Sequence, residues 1–233
     1  MALEETVLDG ENMTNLLKAN WDISCASYRK LPIGTANCFT VNDGSNTYFL
    51  KEYQSYIEDC DIIREENILE KLKNYEIPST DFIETVSREK MVKYKGHRFV
   101  LQKYMSGQSY GYNDFPEEML PQMAVMLAKI HIALKDMELP VDMDAAWVNG
   151  DAVSKYDNIL EVLEQHREDS LYKQIKEDLL YKRTVLQKNQ DIFRRYFEGI
   201  TYSPSHGDYQ GCQIIGENNR IKAVIDFTSA RKL

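Results

Sequence analysis

The chain has 233 residues, of which 43% are hydrophobic and 28% are charged, and its formal net charge at pH 7 is −9. This length is enough for one large domain or two lobes around a substantial core, and no apolar run approaches the roughly 18 residues that cross a membrane. The acidic balance leaves no clustered positive patch of the kind that nucleic-acid binding needs. We therefore expect a protein that binds neither nucleic acid nor a membrane.

The N-terminus and the cysteines indicate a cytoplasmic protein. The first residues are acidic and lack the positively charged segment and apolar core of a secretory signal peptide. None of the four cysteines belongs to a Cys-x-x-Cys pair, so neither a disulfide framework nor a zinc site is indicated. We expect reduced thiols at Cys25, Cys38, Cys60 and Cys212.

The first 104 residues alternate strand-like and helical segments. The dipeptide Asp43-Gly44 separates two strand-like runs and is a strong signal of a β-hairpin. A helical segment ends shortly before Pro78, and two more strand-like runs follow with a basic, polar turn between them. We expect strands over residues 36–42, 47–53, 81–87 and 97–104, and a helix over residues 56–74.

Beyond Tyr104 the pattern becomes helical. Pro116 and Pro121 lie where a first-turn proline is tolerated, ahead of an apolar stripe that repeats every three or four residues. The stripe consists of Leu120, Met123, Leu127, Ile130, Leu134 and Met137. Residues 155–199 carry further helical patterns, whose expected inward positions are Ile175, Leu179, Leu186, Phe193 and Phe197. The elements together predict an α+β fold.

Glu65 is unusual because it lies on the apolar stripe of its helix. Ile62 precedes it by three residues, and Ile68 and Leu69 follow it by three and four. A carboxylate on a buried stripe is costly unless it is paired, and Lys51 in the preceding strand is the natural partner. A structural charge at the edge of the core is the alternative that the sequence leaves open.

The C-terminal segment brings two carboxylates together. Asp208 lies in a His-Gly-Asp loop, and Asp226 ends an apolar strand. A turn at residues 217–220 folds the chain back, so that Asp226 returns close to Gln213, where the preceding strand begins. Carboxylate and amide oxygens suit Mg²⁺, and a further acid beside the metal suits a base for a hydroxyl nucleophile.

This constellation resembles the aminoglycoside phosphotransferase and choline kinase family, whose catalytic layout is shared with protein kinases. The matching residues are His206-Gly207-Asp208, Gln213 and Ile225-Asp226-Phe227, at the spacing usual for the family. Gln213 departs from the pattern, since the family has an asparagine there. The resemblance implies a protein-kinase-like two-lobe fold, with a small antiparallel β-sheet lobe that binds nucleotide over residues 1–104 and a mainly helical large lobe over residues 105–233.

The resemblance also implies a role for each residue of the constellation. Asp208 would accept or orient the proton of the substrate hydroxyl, and Gln213 and Asp226 would hold Mg²⁺ against the phosphates of ATP. Lys51, fixed by Glu65, would contact the same phosphates. The implied function is ATP-dependent transfer of the γ-phosphate to a hydroxyl of a small molecule such as an aminoglycoside, an amino alcohol or a sugar.

Two further nucleotide contacts are implied by the resemblance. The loop before residue 36 contains one glycine, Gly34, whose neighbouring backbone N–H groups could donate to phosphate, although an ordinary turn explains the loop equally well. Gln102 and Tyr104 lie in the segment that matches the family's hinge, where backbone groups bind the purine. His131 and His206 are expected to pack within the fold and not to transfer protons.

The C-terminal end is a second departure from the family. Its members normally continue well past the residue that matches Asp226, through several helices, whereas this chain ends at Leu233. The large lobe is therefore expected to be C-terminally short and to expose apolar surface, which favours an oligomer or a partner protein. Together with Gln213, this leaves a second interpretation open: a catalytically impaired, truncated kinase-like protein that binds nucleotide or another protein.

Overall fold

The structure is a computed structural model that describes residues 4–32, 36–111, 113–141, 151–197, 199 and 201–232. It has the predicted α+β composition, since these ranges contain a five-stranded antiparallel sheet, a three-stranded antiparallel sheet and five α-helices. Contacts divide the chain into two compact units, Met1–Glu138 with Pro204–Ala230 and Leu139–Ser203 with Arg231–Leu233. The lobe boundary after Tyr104 stays a prediction.

The first unit is built around the five-stranded sheet. In chain order its strands are β1 (Ser27–Leu31), β2 (Asn37–Asn42), β3 (Thr47–Tyr53), β4 (Val92–Tyr94) and β5 (His97–Lys103). Their order in the sheet is β1-β2-β3-β5-β4, and every neighbouring pair is antiparallel. This order places β3 at the centre, where the side chains of residues 50–53 are buried on both faces.

The predicted hairpin between β2 and β3 is confirmed. Gly44 takes a φ of 98°, a conformation that costs glycine nothing and other residues strain. The Asp43 carboxylate accepts hydrogen bonds from the N–H groups of Ser45 at 2.8 Å and Asn46 at 2.6 Å. The turn therefore helps to fix the register of these two strands.

Two helices accompany the sheet. Helix α1 (Gly10–Trp21) precedes β1 and was not predicted from the sequence. Helix α2 (Asp59–Asn74) connects β3 to β4 and was predicted. Asp9 caps α1, since its Oδ1 accepts the N–H of Asn12 at 2.8 Å. The buried side chains of α1 belong to the same hydrophobic cluster as the apolar side chains of the sheet. That cluster includes Met13, Leu16, Leu17, Trp21, Phe39, Val41, Leu50, Phe99 and Leu101.

The prediction of a strand over residues 81–87 is wrong. Only two backbone hydrogen bonds join this segment to β5, from Ile83 N to Leu101 O at 2.7 Å and from Lys103 N to Asp81 O at 2.8 Å. The chain then turns away at Thr85, and β4 takes the edge of β5 instead. A tight turn with positive φ at Lys95 and Gly96 joins β4 to β5, inside the segment that was predicted to be a polar turn.

The remaining strands are short. They are β6 (Gln108–Ser109), β7 (Pro204–Ser205), β8 (Ile214–Glu217), β9 (Arg220–Val224) and β10 (Arg231–Lys232). The predicted C-terminal hairpin is the antiparallel pair of β8 and β9, which β6 extends to three strands. The turn between β8 and β9 has positive φ at Asn218 and Asn219, the geometry that favours a two-residue hairpin loop.

Helix α3 (Leu120–Leu134) follows a short 3₁₀ turn and carries the predicted stripe only in its second half. Ile130 and Leu134 are buried, but Leu120, expected to face inward, is 53% exposed. Met119, in the preceding 3₁₀ turn, is fully buried instead. His131, expected to pack within the fold, is exposed.

The second unit contains an antiparallel pair of helices, α4 (Asp151–Glu164) and α5 (Tyr172–Phe197). Ion pairs join them, including Arg183 with Asp157 at 2.6 Å. None of the described side chains of the two helices is buried, and Ile175, predicted to face inward, is 40% exposed. Several of their apolar side chains are exposed, while the expected apolar surface and a partner or oligomer that covers it stay predictions.

No helix among the described residues is both long enough and apolar enough to span a bilayer.

Glu52 is a fully buried carboxylate on the face of β3 opposite Lys51. It accepts hydrogen bonds from the N–H of Thr6 at 3.0 Å, from the Thr6 hydroxyl at 2.6 Å and from the Asn37 amide at 2.7 Å. His97 Nδ1 lies 3.0 Å from the same carboxylate. Glu52, on β3, therefore ties the N-terminal segment to β2 and β3.

Replacing Glu52 with alanine should lower the free energy of unfolding by about 3–5 kcal/mol, because the buried donors of Thr6 and Asn37 would lose their acceptor. Urea denaturation followed by circular dichroism measures the change. The matched control is Glu70→Ala, since Glu70 is exposed on α2 and its replacement should change stability by less than about 0.5 kcal/mol. Equal effects of the two substitutions would contradict this role of Glu52.

Candidate active site

Lys51 is the centre of a buried charge cluster. It lies in the middle of β3, directly across from Cys38 of β2 and Val100 of β5, and is only 7% exposed. Its Nζ donates to Asp226 Oδ1 at 2.8 Å, lies 4.0 Å from Glu65 Oε2, and sits 4.5 Å from the centre of the Tyr53 ring. Three segments distant in sequence thus meet at one ammonium group.

The ammonium of Lys51 keeps its charge. Burial by itself would favour the neutral amine, but the carboxylates of Glu65 and Asp226 outweigh burial and raise the pKa of Lys51 above its ordinary value. A permanent positive charge in a nearly closed site suits the binding of an anion such as phosphate. The cluster therefore provides a fixed cation, as the sequence interpretation required.

Glu65 is fully buried on the apolar stripe of α2, as its periodicity predicts. Its Oε2 accepts two hydrogen bonds, from the hydroxyl of Tyr53 at 2.8 Å and from the hydroxyl of Thr228 at 2.8 Å. Both hydroxyls are closer to Glu65 than Lys51 is. The predicted Lys51–Glu65 pair is formed, but two residues that the sequence interpretation missed hold the carboxylate.

A sequence signal for these two residues exists, although it is weak. Tyr53 follows Lys51 by two positions in a strand, so that both side chains share one face of the sheet. Burial and the nearby Glu65 carboxylate raise the pKa of Tyr53, which keeps its hydroxyl a hydrogen-bond donor. Thr228 follows Asp226 by two positions in a 3₁₀ turn, and nothing in the sequence alone places its hydroxyl against α2.

His206 braces the loop that carries Asp208. Its ring is fully buried and lies 4.3 Å from the centre of the Phe227 ring. Nδ1 accepts the backbone N–H of Asp208 at 3.3 Å, so Nε2 carries the proton and donates to the carbonyl of Ile225 at 3.0 Å. Burial lowers the pKa of His206, which favours this neutral form, and the expectation that it packs within the fold is confirmed.

Gly207 is required by close backbone packing. Its φ is 81°, and a Cβ added there would lie 1.9 Å from the carbonyl oxygen of Ser229. Since no side chain fits in that space, the loop before Asp208 can approach the turn after Asp226 only through a glycine. The central residue of the His-Gly-Asp motif is thus explained by packing.

Asp208, Gln213 and Asp226 converge as the hairpin predicts. The Asp208 carboxylate accepts the Gln213 side-chain amide at 2.9 Å and the Gln210 amide at 2.8 Å. The backbone carbonyl of Gln213 accepts the N–H of Ile225 at 3.0 Å, which places Gln213 beside Asp226. The sequence-predicted acid, amide and second acid therefore lie around one point at the start of the β8–β9 hairpin.

Asp226 has a left-handed backbone conformation, with φ 62° and ψ 66°, which costs a non-glycine residue on the order of 1 kcal/mol or more. Its side chain is 39% exposed. Burial opposes ionisation, but the Lys51 charge and the hydrogen bond from Lys51 outweigh it and lower the pKa of Asp226. The carboxylate is therefore an anion that is partly open to solvent.

The donor set around Asp226 fits Mg²⁺. A carboxylate can only accept, so the amide nitrogen of Gln213 must face Asp208 and its oxygen must face away. An amide oxygen and a carboxylate are hard oxygen ligands. No three His, Cys, Asp or Glu side chains form a metal-binding group within the described ranges, so Mg²⁺ would need phosphate or water oxygens as well, as it usually does.

The other predicted nucleotide contacts stay predictions. Gly34 lies outside the described residues. Gln102 is buried in β5 opposite Phe49, and Tyr104 follows the end of that strand. The backbone of Lys103 between them is occupied, since its N–H donates to Asp81 and its carbonyl accepts the Thr80 hydroxyl at 2.8 Å.

Comparisons with known proteins identify the fold. No family model and no curated protein sequence matches the chain. Among solved structures, a spectinomycin phosphotransferase in complex with ADP and spectinomycin superposes with a TM-score of 0.73 at 16% identity, over 97% of this chain and 71% of that one. An amicoumacin kinase with AMP-PNP and Ca²⁺ gives 0.66 at 12% identity, over 96% and 65%.

An aminoglycoside phosphotransferase from Alicyclobacillus acidocaldarius gives a TM-score of 0.65 at 17% identity, over 98% of this chain and 68% of that one. These similarities confirm the predicted fold class, the protein-kinase-like fold of aminoglycoside phosphotransferases. The chain spans 65–71% of the length of these three structures.

Gly207→Ala should lower the free energy of unfolding by the strain of its positive φ plus roughly 1–3 kcal/mol for the contact with Ser229. Gly96→Ala is the matched control, because Gly96 has a similar φ of 84° but no atom near the added Cβ. Urea denaturation of both variants separates the contact from the strain. If both lose the same stability, close packing at Gly207 is not the cause.

Proposed function

We propose that the protein is an ATP-dependent phosphotransferase that transfers the γ-phosphate to a hydroxyl group of a small molecule. The observation that carries the proposal is the convergence of a charged lysine, its buried glutamate, two aspartates and an amide. These residues are Lys51, Glu65, Asp208, Asp226 and Gln213. All five belong to one compact unit, and the fold is one in which solved kinases bind nucleotides.

Asp208 is proposed as the residue that receives or orients the proton of the acceptor hydroxyl. Two amides, from Gln210 and Gln213, donate to its two oxygens and so hold the carboxylate in a fixed orientation. The remaining lone pairs of the carboxylate can accept a hydroxyl proton. His206 is occupied on both ring nitrogens, so it supports the loop and does not compete for this role.

Lys51, Gln213 and Asp226 are proposed to bind the phosphates of ATP. Phosphoryl transfer depends on positioning and on neutralising charge more than on covalent chemistry. Lys51 contributes a charge that burial among carboxylates keeps in place. When bound, Mg²⁺ would neutralise phosphate charge and hold the phosphate oxygens, with Asp226 and the amide oxygen of Gln213 as its protein ligands. The backbone at Gln102 and Tyr104 is proposed to bind the purine, and the backbone N–H groups near Gly34 are proposed to bind the phosphates.

The acceptor is proposed to be a hydroxyl compound of the size of an aminoglycoside, an amino alcohol or a sugar. Support comes from the named substrates of proteins with this fold, which include spectinomycin, hygromycin B and aminopropanol. The net charge of −9 is compatible with an amine-bearing acceptor. A panel of such compounds with labelled ATP is therefore the first experiment.

The protein is proposed to act in the cytoplasm. The four cysteines, Cys25, Cys38, Cys60 and Cys212, are free thiols, a state that a reducing compartment maintains. Burial raises the pKa of Cys38 to about 11, so this residue next to Lys51 stays a neutral thiol and does not disturb the charge cluster.

A catalytically impaired protein that binds nucleotide or another protein is the second candidate. Two observations favour it: the glutamine at position 213, and the exposed apolar side chains of α4 and α5. The largest exposed fractions there belong to Tyr181 and Tyr196. Phosphate transfer to any acceptor of the panel distinguishes the two candidates, because nucleotide binding is common to both.

Asp208→Ala should lower the rate of phosphate transfer by about 10²–10⁴, the usual contribution of a general base. Binding of ATP in EDTA should change little, because Lys51 and its partner Glu65 remain. Release of labelled product measures the rate, and calorimetry measures binding. The matched control is Asp136→Ala, whose carboxylate is exposed beyond the end of α3. Transfer by the Asp208 variant within threefold of the parent rate would refute the assignment.

A further inference from the structure

One hydroxyl group lies among all three charged groups of the buried cluster. Thr228 Oγ1 is 2.8 Å from Glu65 Oε2, 2.9 Å from Asp226 Oδ1 and 3.2 Å from Lys51 Nζ. A hydroxyl has one proton and two lone pairs. Since an ammonium only donates, Thr228 accepts from Lys51 and has one proton to give to one of the two carboxylates at a time.

A hydrogen bond from Thr228 does not stabilise the two carboxylates equally. Asp226 is 39% exposed and already accepts from Lys51 at 2.8 Å, so water and the ammonium satisfy it. Glu65 is fully buried, and its Oε1 has no hydrogen-bond partner among the described residues. A buried carboxylate with too few donors is costly. A hydrogen bond from Thr228 therefore stabilises Glu65 more than it stabilises Asp226. Among the described residues, Tyr53 supplies the only other hydroxyl contact to Glu65.

The turn that carries Thr228 is held in place on both sides. Phe227 is fully buried, and the N–H of Ala230 donates to its carbonyl at 3.0 Å. The turn packs against α2, the helix that carries Glu65. Ser229, the next residue, lies against Gly207 of the loop before Asp208. Thr228 thus has a fixed position between the helix, the lysine strand and the catalytic loop.

We propose that Thr228 and Tyr53 are positioning residues that fix Glu65, and through it the Lys51 ammonium, for binding of nucleotide phosphate. Lys51 now has Asp226 as its nearest acceptor, and metal ligation by Asp226 would compete for that oxygen. The contact with Thr228 and the charge of Glu65 then keep Lys51 in the cluster. The inference rests on the proposed function, because it assigns these hydroxyls to the same site.

The test compares Thr228→Val, which removes the hydroxyl at constant volume, with Thr228→Ser, which keeps it. Binding of ADP is measured by calorimetry, once with Mg²⁺ and once with EDTA. Thr228→Val should weaken binding by roughly tenfold or more in both conditions, the effect of losing one hydrogen bond to a charged group. Thr228→Ser should recover most of the affinity. Tyr53→Phe should weaken binding in the same direction.

Matched controls separate positioning from folding. Thr40→Val and Tyr48→Phe remove hydroxyls at the far end of the same sheet, where Tyr48 bonds Asp43, and should leave affinity unchanged. The melting temperature of every variant is recorded, and Tyr53→Phe carries the test if Thr228→Val does not fold. Affinity of Thr228→Val and Tyr53→Phe within twofold of the parent overturns the proposal.

The outcomes distinguish this proposal from the proposed function. A parent protein that binds ADP but phosphorylates no acceptor refutes the function, while a loss of affinity in the two variants still supports the positioning role. Transfer by the parent together with unchanged affinity in the variants supports the function and overturns the positioning role. A parent protein that binds no nucleotide overturns both.

Discussion

The buried ammonium of Lys51 is the constraint on which the rest of the site depends. An unpaired charge in a protein interior costs several kcal/mol or more, so the carboxylates of Glu65 and Asp226 cannot leave it without a large loss of stability. These partners come from α2 and from the end of β9, far from β3 in sequence. Because the lysine requires both, it fixes how the helix and the C-terminal hairpin pack against the sheet.

Backbone packing extends this constraint to the loop that carries Asp208. Asp208 has no direct contact with Lys51 among the described interactions, yet its position depends on the same turn. His206 donates to the carbonyl of Ile225, and Gly207 lies against the carbonyl of Ser229, on either side of Asp226. Tyr209 adds a bond from its hydroxyl to the carbonyl of Met123 in α3 at 2.9 Å. The distance between Asp208 and Asp226 is therefore set by backbone contacts and by the glycine that permits them.

Local chemistry made part of this arrangement predictable. The Asp43-Gly44 turn predicts the β2–β3 hairpin, and the period of α2 predicts the burial of Glu65, because both signals lie within a few residues. The strand predicted over residues 81–87 does not form, since β4 and not local propensity decides which residues occupy the edge of β5. The sequence did not predict the roles of Tyr53 and Thr228, because the hydrogen-bond partner of each hydroxyl is distant in sequence. That partner is Glu65, which lies more than ten residues from Tyr53 and more than 160 residues from Thr228. The roles of the site residues stay predictions.

Gln213 shows how one charge can determine the chemistry of a neighbour. The Asp208 carboxylate offers only lone pairs, so an amide beside it must present its nitrogen, and its oxygen must then face away. The backbone of Gln213 is fixed by the N–H of Ile225, and its longer side chain still reaches Asp208 at 2.9 Å. The Asp208 carboxylate thus orients the amide with its oxygen facing away, and the extra methylene relative to asparagine does not remove that orientation. The departure from the family pattern is accommodated by the same charge that the proposed reaction uses.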